Sequence, residues 1–95
     1  MPISNPSSTN PFANETHFTF ELTANANVTI DIFTLEGRRI KSLFPEQFPM
    51  GYHRIKWDGR DDFGNRLANG VYFYKMTAKN GSQKVNHVGR LAIYR

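Results

Sequence analysis

Asp58, Asp61, Asp62 and Asn65 put four oxygen-bearing side chains into one short stretch, interleaved with Gly59 and Gly64. Hard oxygen donors at that density are the raw material of a Ca²⁺ loop. The spacing departs from the calcium-loop template, since Arg60 falls where an oxygen ligand belongs and Phe63 where a glycine is needed. The same side chains can instead fold onto nearby backbone N–H groups. Gly59, Gly64 and Gly70 allow the tight turns this requires. Asp58, Gly59, Asp61, Asp62, Gly64 and Gly70 are therefore read as a structural turn motif, with no metal expected.

Other candidate chemistry is thinner. His17, His53 and His87 fall on three separate expected strands and lack metal-ligand spacing. Serines and aspartates occur, but no strand-turn-helix nucleophile elbow accompanies them, and there is no cysteine nucleophile. No catalytic residue and no cofactor is expected. Trp57 could stack on a sugar, yet it alternates with Ile55 on an apolar face, which favours a core position. Arg38, Arg39, Lys41, Lys84, Arg90 and Arg95 are mixed with acidic and apolar residues, and no helix is available to read bases. A solvated face is favoured over a nucleic-acid stripe.

The elements that must carry these residues are strands. Phe18, Phe20 and Leu22 alternate with polar neighbours, as do Val28, Ile30 and Ile32. Ile40 and Leu43 mark a more exposed third strand. Pro45 and Pro49 are expected to bracket a loop. Gly51 opens a strand with His53, Ile55 and Trp57 on one face. Leu67 and Ala68 read as a short strand, and Val71 to Ala78 as a central one with aromatics on both faces. Asn80-Gly81 signals a hairpin, and Lys84 to Tyr94 forms the last strand, with a bend expected at Gly89. The pattern predicts an all-β, immunoglobulin-like β-sandwich of about seven antiparallel strands. Trp57, Phe20, Ile30, Ile32 and Tyr72 are its expected core.

The bulk composition agrees with one small domain. The chain has 95 residues, 39% of them apolar, with eight Phe, four Tyr and one Trp. Residues 1–14, rich in Pro, Ser, Asn and Thr, read as a linker, leaving 15–95 for the sandwich. The absence of cysteine rules out a disulfide framework and a thiolate zinc site. A net charge of +4 permits contact with an anionic surface without requiring one. No apolar run approaches a membrane span, and no signal-peptide pattern opens the chain. It reads as a piece of a longer polypeptide.

The order of these pieces resembles the C-terminal sorting domains of proteins exported by the type IX secretion system. It also resembles the related immunoglobulin-like domain of the flagellar hook-capping protein. The residues that carry the likeness are Asn10-Pro11-Phe12, Leu35 to Ile40, Gly51-Tyr52-His53, Trp57 to Gly64, Asn69 to Tyr74 and Arg90 to Arg95. Thr9 departs from the proline that usually precedes Asn-Pro-Phe in the sorting domains. The Asn69-Gly70-Val71-Tyr72 segment and the Ile32-Phe33-Thr34 context are similar to domains that follow gingipain-type cysteine peptidases.

The resemblance implies a passenger address. A parent domain N-terminal to this one would be carried through the periplasm to the cell surface or medium. The outer-membrane secretion machinery and a surface sortase would be the partners. Arg90, Leu91, Ala92, Ile93 and Arg95 are the expected recognition residues, presented for strand addition if the last strand lies at a sheet edge. Two alternatives stay open: an extracellular assembly or spacer module, and carbohydrate binding through exposed aromatics such as Tyr52 and Tyr94.

Overall fold

Apolar residues at every second position set the strands, because successive side chains on a strand point to opposite faces. The protein is described by a computed structural model covering residues 3–8 and 14–95. Seven strands follow in order: β1 (Ile3–Ser8), β2 (Thr16–Leu22), β3 (Ala26–Phe33), β4 (Arg39–Phe48), β5 (Gly51–Trp57), β6 (Gly70–Asn80) and β7 (Gln83–Ile93). One sheet has the order β1-β2-β5 and the other β4-β3-β6-β7, and every pairing is antiparallel.

The inward faces meet in one core. Phe18, Phe20 and Leu22 of β2 and Trp57 of β5 pack from the first sheet. Val28, Ile30 and Ile32 of β3, Tyr74, Met76 and Ala78 of β6, and Leu91 and Ile93 of β7 pack from the second. The Phe18 ring meets Tyr74 edge-on across the sheets, with centroids 5.1 Å apart. Each large side chain buried this way contributes about 1.5–3 kcal/mol. Tyr72 shares the inward register but sits half-buried at the rim.

Several expectations need correction. Residues 3–8 are not linker but β1, paired with β2, and Ile3 is buried in the core. The Pro-Ser composition is compatible with this because β1 is an edge strand, and its register slips by one residue between Ser4 and Ser7, around Pro6. Residues 45–48 of the expected Pro45 to Pro49 loop are instead the end of β4, which is also an edge strand, and Pro49 follows it. The β3–β4 register slips by one residue between Leu43 and Glu46, as at a bulge. Leu67 and Ala68 form no strand, and a single bridge, Arg60 to Arg66, takes that place. The β6–β7 register runs without a break past Gly89, so no bulge bends the strand there. Gly89 is needed for space: a Cβ would stand 2.5 Å from the Tyr74 ring. The hairpin loop is Gly81-Ser82, closed by the Asn80–Gln83 pair.

Candidate functional site

The aspartate turn begins where β5 ends. Trp57 is buried, and its indole Nε1–H donates to the Arg60 carbonyl at 3.0 Å, tying the turn to the core. Asp58 Oδ1 accepts the Arg60 N–H at 3.1 Å. Asp61 Oδ1 accepts the Phe63 and Asn65 N–H groups, both at 2.9 Å. The Asn65 amide makes the largest contribution to holding the Asp61 carboxyl below the usual aspartate range; burial opposes it, and the Phe63 amide adds to it. Arg60 Nη1 closes the loop by donating to the Gly64 carbonyl at 2.8 Å. Gly64 itself has φ +83°, a conformation side chains resist.

Asp62 works outward instead. Its N–H donates to the Ile40 carbonyl at 3.1 Å, its Oδ1 accepts the Ser42 N–H at 3.3 Å, and Lys41 Nζ lies 3.7 Å away. The turn thus satisfies backbone groups along part of β4, an edge that would otherwise invite strand pairing. Each carboxylate of the turn already accepts from protein donors, which is the geometry of capping. Among the described residues no three His, Asp or Glu side chains group to hold a metal.

The histidines stay apart. His17 Nδ1 meets Arg54 Nη2 at 3.3 Å on the outer face of the first sheet. His53 Nε2 reaches the Pro49 carbonyl at 2.7 Å, with its ring against Phe20 and Phe48. His87 lies on β7 beside Tyr74.

β7 is an edge strand of its sheet. Leu91 and Ile93, expected to be presented to a partner, are both only 1% exposed. They face inward because the strand alternates and its inner face completes the core. Arg90, opposite Phe73, is exposed on the outer face, and Ala92 is half-buried opposite Val71. Arg95 is held in place: its N–H donates to Asn69 Oδ1 at 3.2 Å, while Asn69 Nδ2 donates to the Arg95 carbonyl at 3.3 Å. Arg95 Nη1 also donates to the Leu67 carbonyl at 2.7 Å. Tyr72 completes this corner, its hydroxyl donating to the Ala68 carbonyl at 2.7 Å. Burial pushes the Tyr72 phenol up, and the Arg95 charge partly opposes that. The Asn10-Pro11-Phe12 motif lies outside the described residues.

Two antiparallel sheets of three and four strands around a shared core define an immunoglobulin-like β-sandwich module. The chain belongs to the FlgD Ig-like domain family, whose pattern matches residues 6–82. The basal-body rod modification protein FlgD of Salmonella typhimurium is 34% identical over 71 residues, covering 74% of this chain and 31% of that protein. The FlgD of Salmonella typhi matches equally. The chain thus spans about a third of the length of these curated relatives. Among solved structures, dimeric latent PorU from Porphyromonas gingivalis superposes with a TM-score of 0.77 at 20% identity, over 95% of this chain and 9% of that one. A β-glucuronidase of Parabacteroides merdae gives 0.53 at 14% identity, over 97% and 14%. At these identities the two structures speak for the fold alone.

Proposed function

We propose that this module is a non-catalytic sorting domain that directs a parent protein through the outer membrane by type IX secretion. The secretion machinery and a surface sortase would be its partners, and the cell surface or medium the destination. The supporting observation is the clasp between Asn69 and Arg95. The Asn69-Gly70-Val71-Tyr72 segment and the terminal basic strand are two separate pieces of the resemblance to sorting domains. The fold joins them into one corner, with Leu67, Ala68 and Tyr72 around it. A recognition surface built there would read Arg90, Tyr94 and Arg95, because Leu91 and Ile93 are committed to the core.

A second reading is an assembly module like the domain in the rod modification proteins. The family match stops at residue 82 and the curated relatives carry that name, which favours it. Under that reading the segment from Gln83 to Arg95 only completes the second sheet. Both readings have the module act by contact, without catalysis.

A reporter carrying a signal peptide ahead of residues 1–95 separates the two. It would be expressed in a type IX-competent bacterium and in its secretion-null mutant. Surface or medium reporter in the competent strain alone, lost on Arg95→Glu, is the expected result. Periplasmic retention in both strains would leave the assembly reading.

A further inference from the structure

The two outer faces of the sandwich differ in kind. On the β1-β2-β5 sheet most outward side chains are polar and several are paired, with exposed Tyr52 standing opposite Glu21. Lys56 Nζ meets Glu15 Oε2 at 2.9 Å, Arg54 meets His17, and the Ser7 and Thr19 hydroxyls lie 2.7 Å apart. That is the expected solvated face of an antiparallel sheet. On β3, β6 and β7 the outward register instead carries Phe33, Phe73, Val71 and Val88. Phe33 is opposite Phe73, and Val88 lies one outward row on, opposite Lys75. Val88 is 60% and Val71 42% exposed. A shallow apolar depression of about 320 Å³, lined by Val71, Arg90, Leu91 and Ala92, adjoins them. Single exposed aliphatics are ordinary, but a cluster in adjacent register positions marks a contact surface.

Charge decides what the surface fits. Lys75, Lys79, Lys84 and Arg90 occupy outward positions on β6 and β7, against the single acidic Asp31 on β3. Lys79 and Lys84 stand directly opposite each other, an unfavourable like-charge pair with no acidic side chain in ion-pair reach among the described residues. A second copy of this face would add repulsion, so self-association through it is disfavoured. A polyanionic glycan would match the lysines but offer nothing to aliphatic Val71 and Val88. The occupant that matches both features carries carboxylates and aliphatic side chains together.

We propose that the outer face of β3, β6 and β7 docks an acidic polypeptide segment. Its aliphatic side chains would pack on Val71, Phe73 and Val88, and its carboxylates would pair with Lys75. This holds whichever of the two functional readings is correct.

The test pans a phage-displayed library of random peptides of about 12 residues, the scale of strand-length recognition, against the domain. Enriched peptides should combine acidic and aliphatic residues. Their affinity should fall about tenfold or more on Val88→Asp and on Lys75→Glu, as expected for central contacts worth about 1.4 kcal/mol or more. It should weaken as salt rises and stay unchanged on Lys56→Glu, which alters the opposite face. Circular dichroism melts confirm that each variant is folded, and Lys75→Ala supplies a milder substitution should Lys75→Glu fail to fold. No enrichment, peptides lacking acidic residues, or equal binding to the variants would overturn the proposal. So would salt-sensitive binding of heparin oligosaccharides to this face in the absence of any selected peptide, which would make it a glycan site.

Discussion

The Tyr74 ring lies over the bare backbone of Gly89, its register partner across β6 and β7. Tyr74 is itself buried and meets Phe18 of the opposite sheet, so the glycine lets one ring serve both the sheet interface and the edge strand. Gly89→Ala would drive a methyl group to within 2.5 Å of Tyr74 Cζ. The expected loss is about 1–3 kcal/mol, the usual cost of overpacking. Urea denaturation measures it. The loss should shrink in a Tyr74→Leu background, and an unchanged loss in that double-mutant cycle would mean the clash is not its cause.

Trp57 anchors both the core and the aspartate turn. Trp57→Ala should cost about 3–5 kcal/mol. Trp57→Phe keeps most of the apolar contact but loses the hydrogen bond to the Arg60 carbonyl, so about 1 kcal/mol is expected beyond the packing loss. Denaturation midpoints test both. A loss below about 1 kcal/mol for the alanine variant would match a surface residue.

Asp61 should titrate below the ordinary aspartate value of roughly 3.9. Its folded carboxyl is depressed, first by the Asn65 amide. The stabilisation it supplies is therefore complete above the unfolded value and lost as pH falls through the lower folded one. Asp61→Asn should remove this part of the acid dependence. A carboxyl ¹³C titration reads the midpoint, and a value at or above the ordinary one contradicts the geometry.

Deleting residues 90–95 should unfold the domain rather than merely silence it. Leu91 and Ile93 go with the segment, and truncating such buried side chains costs about 2–5 kcal/mol each. Small domains hold only about 5–15 kcal/mol in total. Far-ultraviolet circular dichroism of the deletion should show loss of the sheet signal. Arg95→Glu should retain it, because the exposed Arg95 side chain contributes surface bonds only.

Asn69→Ala removes both arms of the clasp with Arg95. The expected cost is about 0.5–1.5 kcal/mol in the free energy of locally opening the C-terminal segment. Hydrogen exchange at the Arg95 amide should speed up, while exchange at Ile30 in the centre of β3 stays unchanged. Equal acceleration at both positions would indicate global destabilisation rather than a local clasp.

Alternation alone placed β2, β3, β5, β6 and β7 and put Phe20, Ile30, Ile32 and Trp57 on inward faces. The self-capping of the aspartate turn was legible for the same reason, since Asp61 bonds to Phe63 and Asn65 only two and four residues away. Both signals are written within a few neighbouring residues. Tertiary structure decided what spans longer distances. Pro-Ser composition hides β1, whose strand character comes from pairing Ile3 with Leu22. Asp62 caps β4 across 20 residues, and Asn69 meets Arg95 across 26. Alternation also left open which face of β7 turns inward; that was settled only when the sheets closed and buried Leu91 and Ile93. Local sterics and side-chain period are properties of a segment. Register across sheets depends on chain closure and on which apolar faces find each other, and no single segment carries that information.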